Sequence, residues 1–359
     1  MGLLKELLKP LAEDGAALTR EQASAVLEEI LSGQAPEVET AALVAVLATR
    51  GEQAPELAGF VDVMRKRVTP VPLTNEERDQ LVDVVGTGGG GPATFNISSG
   101  AALVAAAAGA MVAKHGNRAV TSRCGSADVL EALGVPISLN AEQAVACLRE
   151  TGFMFLFAPL YHPALKTMGP LRKALGFRTI FNLCGPLTNP AGARTQVIGV
   201  LAPSKVLLVG RTLASLGARR AFVVHGTDGM DELTTTAESV VARIEEAERP
   251  AEGDGAMGES SLKAARITPE MAGLPRAQLK DLIGGDIQTN VDIVMDVLTG
   301  VMGPRRDIVL MNAAAALVAV GMAGDLKQGV ALGAEAIDSG QAAATLAKLR
   351  AFGAKYGPQ

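Results

Sequence analysis

The chain has 359 residues, beyond the ~250–300 over which a single hydrophobic core keeps growing, so two domains are expected. Its 33 Lys and Arg against 38 Asp and Glu leave a net charge of −5, a field that repels phosphate polyanions and argues against a nucleic-acid carrier. With 48% hydrophobic and 20% charged residues the chain is too apolar to be disordered, and with no Trp, two Tyr and nine Phe its core must be built from Ala, Leu, Val and Gly.

The opening MGLLKELLKP carries charges every few residues and does not read as a secretory signal. From Leu3 to Arg67 the apolar residues recur at helical spacing. Thr19 is placed to cap a helix from Arg20 with Gln22 nearby, Pro36 and Glu37 open another, and no stretch reads as a strand. Val68–Asn75, with Pro70 and Pro72, reads as a linker.

The period then changes. Leu81–Val85 is a β-branched run ending in GTGGGG, followed by an Ala-rich helix from near Ser98 or Ser99. Further short strands are predicted at Met111–Lys114, Phe153–Phe157, Gln196–Val200 and Ala221–His225, with helices at Ala127–Leu133 and Lys205–Leu216 between them. This alternation predicts an α/β domain with a mainly parallel sheet and ligand loops at the carboxyl ends of its strands. Tyr161–Leu187, punctuated by Pro, Gly and Arg, is expected to return to the helical unit and form a cleft. Ala247–Lys263 is acidic and Gly/Ser-rich, and is expected to be a hairpin tip or mobile loop. The longest uncharged stretch, Ile308–Gly324, is too short to span a membrane. Cys124, Cys147 and Cys184 are odd in number and contain no C-x-x-C pair, which reads as a reduced, cytoplasmic protein without a disulfide framework or zinc site.

Six segments carry chemistry. In Asp83-Val-Val-Gly86-Thr87-Gly88-Gly89-Gly90-Gly91, four successive glycines after a strand leave unshielded backbone N–H groups next to a helix start, a shape for phosphate or pyrophosphate. The bland alternative is a tight turn. Asn96, Ser98 and Ser99 follow at the helix start, where such residues cap backbone donors or contact phosphate and metal. Lys114-His115-Gly116-Asn117-Arg118 ends the next strand, where Lys114 and Arg118 are placed to neutralise a leaving pyrophosphate unless they form a solvated charge run. A polar loop with Ser122, Arg123, Gly125 and Ser126 comes next; Cys124 within it needs no special role.

In Pro170–Pro190 a planar guanidinium, Arg172 or Arg178, suits the carboxylate of an acidic acceptor, with a Gly185-Pro186 turn as one wall of its slot. Residue chemistry alone does not choose between the two arginines. Last, Asp231 and Glu232 in His225-Gly226-Thr-Asp228-Gly229-Met-Asp231-Glu232 suit Mg²⁺, which takes one or two carboxylates together with substrate oxygens and water. His225 and His162 read first as ordinary strand-end or core histidines, and no nucleophile–base pair is evident.

Taken in order, DVVGTGGGG…TFNISSG, KHGNRAVTSRCGSADVLEALGV, FLFAPLYHPALKTMGPLRKALGFRTIFNLCGPLTNPAGA and HGTDGMDEL resemble the anthranilate phosphoribosyltransferases, from about Leu4 to Gly340 and including RRDIVLMNAAAALVAVG. The resemblance implies transfer of the phosphoribosyl group of 5-phosphoribosyl 1-pyrophosphate to anthranilate in tryptophan biosynthesis, by a homodimer with Mg²⁺. It implies a small helical domain, residues 1–72 joined by part of about 160–186, and a larger α/β domain, 76–159 and 187–359, with the active site between them. By matching positions, Gly86, Thr87, Gly88, Gly89, Thr94, Asn96, Ser98, Ser99, Lys114, His115, Gly116, Asn117 and Ser126 would hold the phosphoribosyl donor. Asp231, Glu232 and Ser98 would take Mg²⁺, two ions per subunit. Gly86, His115, Asn117, His162, Arg172, Gly185 and Pro186 would line the anthranilate side, with Arg172 on the carboxylate.

No general base is credible among these residues, and the acceptor amine is already neutral, so a dissociative, oxocarbenium-like transition state is expected. Two departures stand out. Gly90 occupies the place of the acid in the family's usual GTGGD, and Arg123 and Cys124 replace a more usual Lys and Ser. Altered Mg²⁺ dependence or weaker donor binding is expected from the first. A pyrimidine nucleoside phosphorylase-like enzyme shares the Gly-rich loop, but LRKALGFRTIFNLCGPLTNP argues for the anthranilate class. A nucleic-acid-binding relative on the same scaffold is opposed by the charge of −5 and the paired acids.

Overall fold

The computed structural model describes residues 2–88, 91–119, 123–245 and 261–356. Four helices open the chain: α1 (Leu3–Glu13), α2 (Arg20–Leu31), α3 (Glu37–Arg50) and α4 (Ala54–Lys66). Thr19 caps α2 reciprocally with Gln22, as its spacing predicts. Helices α2 and α4 cross closely at Gly59, where a Cβ would stand 2.3 Å from the Arg20 carbonyl oxygen.

Past the linker come α5 (Asn75–Gln80), β1 (Leu81–Gly86), α6 (Ile97–Ala107), β2 (Met111–Gly116), α7 (Ser126–Ala132), α8 (Ala141–Thr151) and β3 (Phe153–Phe157). A helical excursion follows, with α9 (Ala158–Tyr161), a 3₁₀ turn (Pro163–Met168), α10 (Gly169–Leu175) and α11 (Ile180–Leu187). The chain then forms β4 (Thr195–Gly199), α12 (Pro203–Ser215), β5 (Arg220–Gly226), β6 (Ser239–Glu245) and β7 (Ser261–Ile267), and ends in α13 (Ile287–Leu298), α14 (Pro304–Ala319), α15 (Leu326–Asp338) and α16 (Gln341–Tyr356).

Among the described residues seven strands form one sheet in the order β3-β2-β1-β4-β5-β6-β7. The pairs from β3 to β5 are parallel, while β6 and β7 add antiparallel. The parallel part follows the periodicity. The antiparallel edge does not announce itself, and Ser261–Lys263, placed by the sequence in a loop, belong to β7. The rest of that loop, residues 246–260, lies outside the described residues.

Two apolar cores lie on the two faces of the sheet. One is shared with α6–α8 and α13–α16, the other with α1–α4 and α10–α12. The Ala- and Gly-rich composition has a packing reason here. A Cβ on Gly329 of α15 would stand 2.8 Å from Ala314 of α14, and one on Gly100 of α6 would stand 3.2 Å from Val309, so these helices meet at distances larger side chains forbid. Among the described residues no helix is long and apolar enough to cross a membrane, and all three cysteines are free and buried.

Candidate active site

The sheet reverses its direction of growth between β1 and β4: β2 and β3 extend one way and β5 the other, so the loops at their carboxyl ends part and leave a crevice. Gly86 and Gly199, paired in register, close these two strands. A Cβ on Gly199 would lie 1.5 Å from the Asp231 carbonyl oxygen, and one on Gly86 would lie 2.5 Å from Asp231 Oδ2. The loop after β5 therefore lies flat across both strand ends, which only glycine permits. The Gly88 N–H donates to Asp231 Oδ2 at 3.1 Å. At Gly91, with φ +90°, a Cβ would stand 2.4 Å from the Gly229 carbonyl oxygen. The phosphate-shaped loop and the acidic loop are thus one unit. Gly89 and Gly90 lie outside the described residues.

Several polar atoms around this unit are buried without a partner among the described residues: Thr87 Oγ1, Asn96 Oδ1, Ser99 Oγ and Glu232 Oε2. Groups left so are costly unless a ligand meets them. Asn96 does not cap α6, which starts at Ile97, one residue before the predicted start; its Nδ2 donates to the Cys124 carbonyl at 3.2 Å and joins the loops after β1 and β2. Thr94 bridges to Ile283, and the Phe95 N–H donates to the Leu282 carbonyl, so a segment far along the chain supports the phosphate loop.

Lys114, 1% exposed, donates from Nζ to the Val84 carbonyl and to Ser98 Oγ. Burial pushes its ammonium down to about 8, against the opposing pull of Asp83, Glu232 and Asp231. Burial raises both Asp231 and Glu232, and the neighbouring Asp231 carboxyl pushes Glu232 further, to well above the ordinary carboxylate range. Two hydrogen-bonded carboxyls, one oxygen of which lacks a partner, fit Mg²⁺, an ion that needs few protein oxygens when substrate and water supply the rest.

The second loop is equally tight. A Cβ on Gly116 would lie 2.3 Å from Ser126 Oγ, which donates to the Asn117 carbonyl. Asp128 Oδ2 accepts from the Ala119 and Gly125 N–H groups, both at 2.9 Å. Arg118 does not point to a leaving group. Asp128 and Glu131 hold its guanidinium, and the ring of Phe157 lies 5.6 Å beneath. Arg123, in the same loop, lies near Asp286 and lowers its carboxyl. Ser122 lies outside the described residues.

Across the crevice His115 and His162 face each other, Nε2 to Nε2 at 3.2 Å. Burial pushes His115 down to about 3, with His162 adding to the effect, and pushes His162 to about 4, so both are neutral at physiological pH. Nothing in the sequence, where they stand 47 residues apart, announces the pairing. Gly185 and Pro186 form the last turn of α11, not the free turn expected. Arg172, on α10, reaches the surface, yet partial burial lowers its guanidinium, and among the described residues no hydrogen bond or ion pair takes that guanidinium up. The two arginines left undecided by the sequence separate in space: Arg172 acts on Cys184, while Arg178 opposes the rise that burial gives Asp231. His225 is the strand-end histidine its position predicts, with Nδ1 2.8 Å from the Val200 carbonyl oxygen.

Asp83 is the group whose role the sequence left unassigned. Fully buried on β1, it accepts from the His115 N–H at 3.1 Å and from Asn189 Nδ2 at 2.8 Å, and burial raises it to about 6. The only local signal was a lone carboxylate inside the apolar run LVDVV.

Residues 78–343 match the glycosyl transferase family a/b domain and residues 5–68 its helical bundle domain. The chain is 46% identical over 335 residues to the anthranilate phosphoribosyltransferase of Rhodopseudomonas palustris (strain BisA53), covering 93% of this chain and 94% of that one. To that of Anaeromyxobacter sp. (strain K) it is 48% identical over 336 residues, covering 94% and 95%. The chain belongs to the anthranilate phosphoribosyltransferase family. The crystal structure of the anthranilate phosphoribosyltransferase from Thermus thermophilus superposes with a TM-score of 0.86 at 40% identity, covering 98% of this chain and 99% of that one. The Saccharomyces cerevisiae anthranilate phosphoribosyltransferase in complex with PRPP and Mg superposes with a TM-score of 0.85 at 25% identity, covering 98% of each chain. A small helical domain before a larger α/β domain is therefore this family's architecture as well as this chain's.

Proposed function

We propose that this chain transfers the 5-phosphoribosyl group of 5-phosphoribosyl 1-pyrophosphate to the amine of anthranilate, giving N-(5-phosphoribosyl)anthranilate and pyrophosphate, the second step of L-tryptophan biosynthesis from chorismate. One observation carries it: the phosphate-shaped loop, tied to the acidic loop by Gly88 and Asp231, stands at the strand ends with a pair of neutral imidazoles, and α11, whose Gly185 meets His115, brings Cys184 to Arg172, a guanidinium with no hydrogen bond or ion pair among the described residues.

The donor's phosphates are assigned to Gly86–Gly89, Thr94, Asn96, Ser98, Ser99, Lys114, the His115–Asn117 turn and Ser126; the free Thr87, Asn96 and Ser99 oxygens support this. Two Mg²⁺ ions per subunit belong to the reading, held by Asp231, Glu232 and Ser98; when bound, Mg²⁺ neutralises charge building on the departing pyrophosphate. Lys114 adds a buried positive charge on the same side. Arg172 takes the anthranilate carboxylate, and Gly86, His115, Asn117, His162, Gly185 and Pro186 line the slot. Because the imidazoles carry no charge, they neither repel nor protonate the amine. The C1–O bond breaks ahead of bond formation, its electron pair leaving with pyrophosphate; the amine lone pair then forms the bond to C1 of the ribose, and the amine proton is released afterwards. We keep the dissociative, oxocarbenium-like transition state, since no side chain here serves as general base; isotope effects at C1 showing a tight, synchronous displacement would overturn it.

The domain division goes with this reading: 1–72 with part of about 160–186, against 76–159 and 187–359. The core that α10 and α11 share with α1–α4 supports it. A homodimer through the helical unit and a cytoplasmic location belong to the same reading. The test mixes protein, donor, Mg²⁺ and anthranilate and follows anthranilate fluorescence, which falls if the assignment is right; folded protein that leaves it unchanged refutes it.

A further inference from the structure

The wall of the acceptor slot is the last turn of α11, and a helix end leaves its final carbonyls without helical partners. The Gly185 carbonyl is closed locally by Thr188, which donates from its N–H at 3.2 Å and from its Oγ1 at 3.0 Å, and His115 of β2 and His162 after α9 lie beside Gly185 and Thr188. Between them, Gln196 Nε2 of β4 donates to the Pro186 carbonyl at 3.0 Å, and Arg65 Nε of α4 donates to the Leu187 carbonyl at 2.9 Å. The next residue, Asn189, is held through its side chain by Asp83 of β1.

Gln196 and Arg65 are not where a sheet and a helix ordinarily keep polar groups. Gln196 is 1% exposed in the register position beside Asp83, and its Oε1 has no partner among the described residues. Arg65 is desolvated enough to have its guanidinium pulled down, with no carboxylate among the described residues paired to it. Both are costly placements, and among the described residues the side-chain hydrogen bond each makes is the one to this turn. Gln196 belongs to the strand that ends at Gly199 under the acidic loop, and Arg65 to the helical bundle, so the turn is fastened from both sides of the crevice.

We infer that Arg65 and Gln196 are positioning residues that fix the Pro186–Leu187 turn as the wall against which the acceptor ring is set. They touch neither substrate, and the inference rests on the anthranilate reading above. The function is to hold the acceptor amine on line with C1, where a misplacement of about 1 Å can cost a hundredfold in rate.

The test compares Gln196→Met, Arg65→Met and Arg65→Lys with the parent chain in steady-state assays, varying each substrate in turn. Loss of one such hydrogen bond is expected to raise the KM for anthranilate about tenfold, with the KM for the phosphoribosyl donor within twofold of the parent (~twofold being ordinary scatter for an uncoupled site). Arg65→Lys, which still donates to Leu187, recovers most of the loss. Equal rises in both KM values, or a failure of Lys to rescue, would show a merely structural role and overturn the inference. Should Arg65→Met not fold, Gln196→Met and Arg65→Lys decide it by the same split. An inactive parent overturns the reading of function itself, whereas an active parent with unaltered variants overturns this inference alone.

Discussion

Replacing His162 by Gln tests whether the imidazole pair is neutral in the folded chain. Burial lowers His162 from its ordinary 6.5 to about 4 and His115 from 6.5 to about 3. A group whose folded value lies below its unfolded one takes up a proton on unfolding, so its contribution to stability is complete above the unfolded value and is lost as the pH falls towards the folded one. From these values each imidazole removes about 2 kcal/mol of folding stability between about pH 8 and about pH 5. Asp83 opposes them. Raised from 3.8 to about 6, it is protonated in the folded chain where the unfolded carboxylate is ionised, and restores about 1 kcal/mol over the same interval. Asp231 and Glu232, also raised by burial, oppose the imidazoles in the same sense and equally in both chains, so His162→Gln is expected to lose about 2 kcal/mol less stability on acidification than the parent. Urea denaturation of the substrate-free protein followed by far-ultraviolet circular dichroism at both pH values measures the difference. A His162→Gln slope as steep as the parent's would mean the imidazoles titrate normally, and the neutral-pair account of the acceptor site would fall.

Arg172→Ala should raise the KM for anthranilate by about a hundredfold, the worth of a charge-assisted bidentate contact of about 3 kcal/mol, and leave the donor KM nearly unchanged. Glu232→Gln replaces a buried carboxyl that Asp231 crowds with an amide that cannot ionise, so thermal melts should show the substrate-free protein stabilised by about 1 kcal/mol, while Mg²⁺ titrations of the rate shift upward by at least about tenfold. Gly199→Ala would place a methyl 1.5 Å from the Asp231 carbonyl oxygen; calorimetric binding of the Mg²⁺-bound donor should be lost even where circular dichroism shows a folded chain. Gly90→Asp, which restores the family's usual acid, should tighten the donor KM and lower the Mg²⁺ requirement; unchanged values for both would show that the departure is neutral.

The parts of this protein that one contiguous stretch encodes were legible in its sequence. The helical opening, the first five strands of the sheet within a residue or two, and the glycine exit from β1 at Gly86–Gly88 all follow from local periodicity, capping and turn chemistry, which act over a few residues. So do the acids at Asp231 and Glu232 and the histidine at the end of β5. The antiparallel β6 and β7 escape such a reading, since an edge strand's pairing direction is set by what it lies beside and leaves no mark on its own alternation.

Tertiary structure alone decided what the polar groups do. Glycine at 86 and 199 reads as a turn residue until Asp231 is laid across both. Arg118 reads as a pyrophosphate cation until the helix after it brings Asp128 and Glu131 to the guanidinium. His115 and His162, Asp83 and Asn189, and Gln196 and the Pro186 carbonyl meet only because the chain leaves the sheet after β3, visits the helical bundle and returns as β4. The physical reason is the range of the forces. Helix and strand are settled by neighbours in sequence, but burial is settled by the whole fold, and it is burial that leaves imidazoles neutral, a lysine weakened and two carboxyls sharing one recess.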